Sequence, residues 1–232
     1  MRCTSLMLCV ASMLCGQDAL TELKKQAFAN PLSEVNQGLI SMLNNMSVQE
    51  VDLLLFSDWQ PLHVVGRGDE LLKVDSANYH IELNTILFVR HGQMHVLYPS
   101  KVRQAMLGEH KFVSMPFVVK QRMARAFFEV LTEGEFTLLR KYALVEKVTN
   151  THPMGTAATR DITLEPGSDL FYHQARARHV YPLPGRKRDV IMLFRRSQED
   201  MVAFARDRKL SVRQDEDMQE LFRFYNELVM EE

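Results

Sequence analysis

Cysteine is almost missing from the chain: the 232 residues contain three, Cys3, Cys9 and Cys15, all close to the N-terminus. The rest of the sequence therefore offers no thiol for a disulfide, a thiolate zinc site or a cysteine nucleophile. A chain of this length can be stable without disulfides, because its own core buries roughly 70% of the surface that the unfolded chain exposes.

Net charge and long apolar runs are also scarce. The chain has 28 basic and 29 acidic residues, a formal net charge of -1, which is not the profile of a general nucleic-acid binder. No run approaches the roughly 20 apolar residues of a membrane-spanning helix. The sequence has no HExxH, no phosphate-binding GxxxxGK[ST] and no GxGxxG, so no motif predicts a catalytic or nucleotide site.

The first seventeen residues, MRCTSLMLCVASMLCGQ, predict a secretory signal. Arg2 supplies the positive start, and Leu6 to Leu14 form an apolar core of about nine residues, a typical length for such signals. Cleavage is expected near Gly16, which places the mature protein in the periplasm or cell envelope. A lipid anchor on Cys9 or Cys15, or an uncleaved leader, stays open as an alternative.

The hydrophobic period divides the remaining chain into three parts. Helical spacing predicts an N-terminal helical segment at 18–58, where Ser47 and Glu50 have the form of a capping box. Alternating β-prone runs predict an antiparallel region at 59–182, and helical spacing returns at 183–232. The predicted fold class is α+β, with N-terminal helices, a central antiparallel β-sheet built of hairpins, and C-terminal helices packed on it. We expect 18–232 to form one domain.

Two glycines mark the predicted hairpin turns. Gly92 lies between the two halves of ILFVRHGQMHVLY, and Gly134 lies within AFFEVLTEGEFTLLRKYALVEKV. The following stretch, Thr149 to Asp161, has the composition of a long, mobile loop. Further on, Ser197 is expected to cap a helix. The last helix should place one stripe of apolar side chains on the sheet: Met218, Leu221, Phe222, Tyr225 and Leu228.

Three stretches resemble a group of uncharacterised exported proteins of Bacteroidota bacteria. They are FFEVLTEGEFTLLRKY, PLPGRKRDVIMLF and DMQELFRFYNEL, the last of which contains the pair Tyr225 and Asn226. The resemblance covers most of the chain after Trp59 and implies an envelope location and the architecture of hairpins followed by short helices. It implies no catalytic residue.

One strongly basic run, YHQARARHVYPLPGRKRD, extends from Tyr172 to Asp189. Its alternation up to His179 predicts one strand with a polar face, and Asp189 is expected to cap the next helix. We favour a solvated strand and turn, with contact to an acidic partner or an anionic lipid surface as the alternative and nucleic acid excluded by the predicted export. The weak candidate binding residues are Arg176, Arg178, Arg186, Lys187 and Arg188.

All eight histidines lie between His63 and His179, in the predicted strand and loop region. Two or three imidazoles can hold zinc when the fold brings them together. The weak candidate metal ligands are His91 and His95, which flank a turn, and His173 and His179, which share one face of the predicted strand. The sequence itself favours scattered surface histidines and predicts no cofactor.

These patterns predict an exported cell-envelope or periplasmic protein that acts without catalysis, through contact between a sheet edge or face and another envelope component. A periplasmic hydrolase with unlocated acid/base carboxylates is one alternative, and a small-ligand or metal carrier is another. The oligomeric state is left open by the sequence.

Overall fold

The computed structural model describes residues 53–151 and 159–230, and for 148–151 and 159–163 it describes the backbone alone. The strands are β1 (Gln60–Gly66), β2 (Leu71–His80), β3 (Thr85–Arg90), β4 (Gln93–Leu97), β5 (Val102–Leu107), β6 (His110–Val119), β7 (Arg122–Thr132), β8 (Phe136–Thr151), β9 (Thr159–Gln174) and β10 (Tyr181–Pro182). The helices are α1 (Lys187–Ile191), α2 (Gln198–Asp207) and α3 (Asp215–Met230), with a 3-10 turn at Arg195–Ser197.

The ten strands form one antiparallel sheet in the order β10-β9-β8-β7-β6-β5-β1-β2-β3-β4. Strand makes up 51% of the structure and helix 22%, so the fold is mainly β and the α+β prediction with N-terminal helices is wrong. Most of the predicted helical segment 18–58 lies outside the described residues. At its described end, Leu55 donates its N–H to the carbonyl of Tyr79 at 2.9 Å, so backbone pairing with β2 replaces the predicted helix here.

The hairpins about Gly92 and Gly134 are confirmed. The turn between β3 and β4 is His91–Gly92, and both residues have a positive φ, of 52° and 72°. Gly134, in the turn between β7 and β8, has a φ of 153°, and a Cβ there would lie 2.2 Å from Cγ of Asn226. Only glycine therefore fits this turn beneath the last helix.

The prediction of a loop at Thr149–Asp161 is wrong at both ends. β8 continues to Thr151 and β9 begins at Thr159, and the two strands pair without a register shift from Phe136 opposite Gln174 to Thr151 opposite Thr159. Continuous backbone pairing of two long strands overrides the polar composition at these positions. Residues 152–158 lie outside the described part.

The strands β1 to β7 curl around an apolar core of their own. The ring of Tyr79 in β2 stacks on Phe112 in β6 with centroids 5.2 Å apart, although β1 and β5 separate these strands in the sheet. Strong curvature is the geometry that brings such distant strands into contact. Fully buried members of this core include Leu62, Tyr79, Ile86, Phe88, Leu97, Leu107, Phe112 and Phe127.

The other end of the sheet is covered differently on its two faces. On one face, the three helices bury a second core that includes Leu138 of β8 and Phe194, Met218, Leu221 and Phe222. On the opposite face, Phe117, Phe128 and Phe171 form edge-to-face pairs. A parallel bridge between Val180 and Phe117 closes this third core, because the segment that leads into β10 returns to β6.

Three asparagine side chains form the backbone hydrogen bonds that a neighbouring strand would otherwise form. In each case the carbonyl oxygen accepts from a phenylalanine backbone N–H and the amide nitrogen donates to the carbonyl of the same phenylalanine. The pairs are Asn78 with Phe56 (3.2 and 2.7 Å), Asn84 with Phe127 (2.8 and 3.4 Å) and Asn226 with Phe136 (3.0 and 2.8 Å). The amide thereby satisfies backbone groups that would otherwise be buried without partners.

Candidate functional site

A cleft lies where the Gly134 end of the sheet meets the C-terminal helices. Its volume is about 410 Å³, in the range of small-molecule sites. It is lined by residues from β8, β9, the segment after α1, and α3: Glu135, Phe136, Tyr172, Gln174, Met192, Leu193, Arg195, Arg196 and Tyr225. The sheet and the helix layer therefore form the cleft together.

Aromatic rings form one part of the wall. Phe136, which is buried, lies 6.1 Å from the ring centroid of Tyr172 and 5.4 Å from that of Tyr225. Tyr172 also stacks on Tyr181 at 5.5 Å, so β10 supports it from behind. Burial, and then the neighbouring Tyr181, raises the pKa of Tyr172, which keeps its hydroxyl neutral near pH 7. The wall therefore presents flat apolar surface with polar tips.

Two arginines lie at the mouth of the cleft. Arg195 and Arg196 belong to the 3-10 turn that follows Phe194, and the fully buried Phe194 ring anchors this turn in the second core. Both arginines are exposed, and within the described residues neither has a hydrogen-bond or ion-pair partner. Since Glu135 is the one acidic residue in the lining, the cleft carries a net positive charge. A guanidinium can bind a carboxylate or phosphate through two parallel hydrogen bonds and can also stack on a flat ligand.

The five predicted basic binding residues do not line this cleft, and the structure does not gather them into one site. Arg176, Arg178, Arg186 and Arg188 are exposed. Lys187 donates to the carbonyl oxygen of Ala205 at 3.1 Å, so it links α1 to α2. The run contributes to the cleft through two of its other members, Tyr172 and Gln174.

The predicted strand from Tyr172 to His179 is also wrong. β9 ends at Gln174, and Nε2 of His173 lies 3.0 Å from the carbonyl oxygen of Ala177, within the turn that follows. Alternation of side chains continued past Gln174 in the sequence, but the chain must turn there to enter β10. Asp189 does not cap a helix either: α1 begins at Lys187 with Arg186 at the N-cap, and Asp189 lies in the first turn. Ser197 does hold the N-cap position of α2, without a side-chain capping bond.

The four candidate metal ligands lie at two separate places, His91 and His95 in the β3–β4 hairpin and His173 and His179 at the end of β9 and in the turn after it. His95 stacks on Phe88 at 5.1 Å, and burial, followed by Arg90 and then His91, lowers its pKa. At the second place, the ring centroids of His179 and Tyr181 are 4.4 Å apart. Among residues 53–151 and 159–230, no three His, Cys, Asp or Glu side chains are grouped as metal ligands.

A buried charge network lies between the first and second cores, and our sequence analysis did not identify it. The carboxylate of Glu129 in β7 is 5% exposed and contacts three donors: His110 at 2.5 Å, the hydroxyl of Tyr142 at 2.7 Å and Arg140 at 3.2 Å. Arg140 also donates to Asp215 at the start of α3, at 2.7 Å. A hairpin about Gly134 places Glu129 directly opposite Arg140, so the spacing did contain a signal for this pair.

This network joins the parts of the molecule that surround the cleft. Burial and the hydrogen bond to Glu129 raise the pKa of Tyr142 to about 12, so its hydroxyl remains a donor at neutral pH. Both oxygens of Glu129 are occupied, and His110 packs against Phe56 with centroids 4.8 Å apart. The arrangement fits a structural joint between β7, β8 and α3, because Arg140 of β8 donates both to Glu129 of β7 and to Asp215 of α3.

Comparisons with protein-family models, curated proteins and solved structures found no match to this chain. Within the described residues, no helix combines the length and the apolar character needed to cross a membrane.

Proposed function

We propose that this protein is an exported, non-catalytic binding module of the cell envelope, and that its cleft takes an anionic ligand with a flat apolar part. The observation that carries this proposal is the position of Arg195 and Arg196, which lie beside Phe136, Tyr172 and Tyr225 with no acidic partner among the described residues. An envelope component with an acidic group and a ring or short apolar chain has the matching chemistry.

The energetics support a ligand of modest affinity. A hydrogen bond to a charged group contributes about 1.5–3 kcal/mol, and a well-placed aromatic contact adds about 0.5–1.5 kcal/mol beyond its buried area. Two guanidiniums on a half-open cleft therefore support micromolar rather than nanomolar binding, since association also costs translational and rotational freedom. Since exposed guanidiniums stay hydrated when no anion is bound, a neutral ligand is not penalised, and the anionic group adds affinity only through the hydrogen bonds that it gains.

The dye 1-anilinonaphthalene-8-sulfonate and its uncharged relative N-phenyl-1-naphthylamine test this proposal, because they share an aromatic body and differ in the sulfonate. We expect the sulfonate dye to bind with higher affinity. Replacing both cleft arginines, Arg195→Ala with Arg196→Ala, should weaken binding of the anionic dye at least tenfold and leave the neutral dye nearly unchanged. Fluorescence titration measures both.

The matched control is Arg176→Ala with Arg178→Ala, two exposed arginines in the turn after β9 that do not line the cleft. This control should bind both dyes like the wild type. Equal affinity of the cleft variant and the wild type for the anionic dye would show that the two arginines do not form a binding site.

Export rests on the sequence: the predicted signal in residues 1–17, which lie outside the described part, and the resemblance to exported Bacteroidota proteins both support it. Fractionation of cells that express the full gene should place the protein in the periplasmic or envelope fraction. N-terminal sequencing should then find a start near Gln17 or Asp18. A cytoplasmic product that begins at Met1 would contradict this part of the proposal and leave the cleft chemistry unaffected.

A further inference from the structure

The turn end of the β6–β7 hairpin combines basic and exposed apolar side chains. Between Val113 and Phe128 the sequence has no acidic residue, and the turn at Lys120 and Gln121 has a positive φ at both positions. Facing residues of the two strands include Val118 with Met123 and Pro116 with Arg125. Because these positions are two apart on each strand, their side chains lie on the same face of the hairpin.

Two guanidinium groups converge beside this face. Arg125 donates from Nη1 to the carbonyl oxygen of Ser114 at 2.8 Å, and Arg67, from the end of β1, approaches the same oxygen with Nη2 at 3.4 Å. Burial, and then the charge of Arg67, lowers the pKa of Arg125, as expected when two cations are held close together. An anion that bridges the two groups would relieve this repulsion.

The neighbouring acids do not supply that anion. Asp69 forms an ion pair with Arg103 at 2.7 Å, and Glu70 accepts from the backbone N–H of Gly68 at 2.9 Å. Neither Arg67 nor Arg125 has an acidic partner within the described part of the chain. The pair is thus a cationic site whose counterion comes from outside these residues.

The apolar side chains lie beyond the arginines, toward the turn. Val118 is 51% exposed and Met123 is 61% exposed, and on the other face Val119 is 41% exposed. Two residues along a strand correspond to about 7 Å, which is the distance from the Arg125 row to the Val118–Met123 row. Apolar side chains of peripheral proteins penetrate about 5–10 Å into the boundary between lipid headgroups and acyl chains. The spacing therefore matches a phosphate layer with acyl chains beneath it.

We propose that the turn end of the β6–β7 hairpin docks on an anionic phospholipid surface. Val118 and Met123 enter the acyl boundary and Arg67 and Arg125 bind lipid phosphate. Lys120 and Arg122, which lie nearer the turn, extend their long side chains back so that the charged groups stay among the headgroups. The cleft faces away from the lipid, because it adjoins the Gly134 end of β7 and the docking surface lies at the Arg122 end. β7 has 11 residues, so about 35 Å separates the two ends. Docking is thus independent of the ligand proposed for the cleft.

Co-sedimentation with vesicles tests this docking with the full protein. We expect binding to vesicles of phosphatidylcholine mixed with phosphatidylglycerol and at least tenfold weaker binding to phosphatidylcholine alone. The charge variant, Arg67→Gln with Arg125→Gln, and the apolar variant, Val118→Ser with Met123→Ser, should each reduce binding to the anionic vesicles at least tenfold. Raised salt should weaken the wild type strongly, since a good part of the attraction is electrostatic.

Matched controls separate the docking surface from general surface properties. Val202 in α2 is 46% exposed, so Val202→Ser removes a similar apolar side chain elsewhere, and Arg176→Gln with Arg178→Gln removes two exposed charges. Both controls should sediment with anionic vesicles like the wild type. All variants should keep the circular dichroism spectrum and the Tm of the wild type, which shows that they are folded and keeps a failed docking test distinct from a failed cleft test.

Three outcomes overturn the proposal. The first is no sedimentation of the wild type with anionic vesicles. The second is sedimentation that the charge and apolar variants do not reduce. The third is stabilisation by inorganic phosphate, measured as a rise in Tm that the charge variant loses, without any vesicle binding. That result would make the arginine pair a site for a free anion and not a lipid contact.

Discussion

The two ends of the sheet bury their apolar faces in different ways. Strands β1 to β7 bury one face by curling until Tyr79 of β2 meets Phe112 of β6, so strands cover strands. At the other end, β8 leaves its face open to α1, α2 and α3, which close a core around Phe194 and Phe222. The cleft lies where β8 and β9 meet this helix layer.

In both regions, nevertheless, an asparagine side-chain amide forms hydrogen bonds with the backbone N–H and carbonyl of a phenylalanine in a strand. The settings differ in burial: Asn226 is 5% exposed beneath α3, whereas Asn84 is only half-buried in the β2–β3 connection. Removing a hydrogen-bond partner destabilises the fold more where water cannot take the place of that partner. The comparison between the regions can therefore be tested through these two amides.

Asn226→Ala should have the larger effect. It removes the partners of the Phe136 N–H and carbonyl and of the Glu133 carbonyl, which Asn226 contacts at 3.0, 2.8 and 3.2 Å. Each unsatisfied buried group costs about 1–3 kcal/mol, and we expect a loss of about 3–4 kcal/mol in the free energy of unfolding. Urea denaturation followed by circular dichroism measures it. Glu227→Ala, at an exposed neighbouring position of α3, should change it by less than about 0.5 kcal/mol.

The matched variant in the curled region is Asn84→Gly, which keeps the positive φ of 49° accessible while it removes the amide. Asn84 is itself more exposed than Asn226, so water can enter the space that its amide leaves and replace part of its bonds, and we expect a loss of about 1–2 kcal/mol. If Asn84→Gly costs as much as Asn226→Ala, the difference in burial between the two regions does not control their stability.

The smallest expected effect concerns Tyr142, in the network between the two regions. Its pKa is raised to about 12, whereas an unfolded tyrosine ionises near pH 10. The unfolded chain therefore loses its proton first as pH rises, so this contribution to stability is complete below about pH 10 and is lost between about pH 10 and 12. Tyr142→Phe removes the titrating group. The decline in the free energy of unfolding above pH 10 should be shallower in this variant.

Denaturation at a series of alkaline pH values measures this slope in both proteins. Burial also raises the pKa of Tyr79, so the wild type and Tyr142→Phe should share the decline that Tyr79 causes. Identical slopes in the two proteins would show that neither burial nor the hydrogen bond to Glu129 raises the pKa of Tyr142 in solution.

The sequence predicted the local features of the fold well. Gly92 and Gly134 marked two hairpins, and the apolar stripe through Met218, Leu221 and Phe222 marked the last helix, because turns and helical faces depend on residues close together in the chain. The composition of Thr149 to Asp161 predicts a loop, and the prediction is wrong at both ends because polar composition says little about strand ends that pair only with each other. For the same reason, the end of β9 at Gln174 was missed.

The candidate site was largely invisible in the sequence. Arg176 and Arg178, which the sequence does offer as binding residues, are exposed and do not line the cleft. Arg195 and Arg196 belong to no pattern in the sequence, and the buried Phe194 places them at the cleft. Arg67 and Arg125 are even further apart in the chain, and they meet at one carbonyl oxygen because β1, β5, β6 and β7 lie side by side. No periodic pattern in the sequence predicts that these two arginines meet.

By itself, the sequence determined where the chain turns, which stretches are β-prone and which C-terminal faces are apolar, since these properties arise from neighbouring residues. It also predicts export, through residues that precede the described fold. Only the tertiary structure decided how strongly the sheet curls, where the helices leave a cleft, and which distant charges share a site. Those outcomes depend on packing between strands far apart in the chain, where a small change in curvature decides whether two side chains meet.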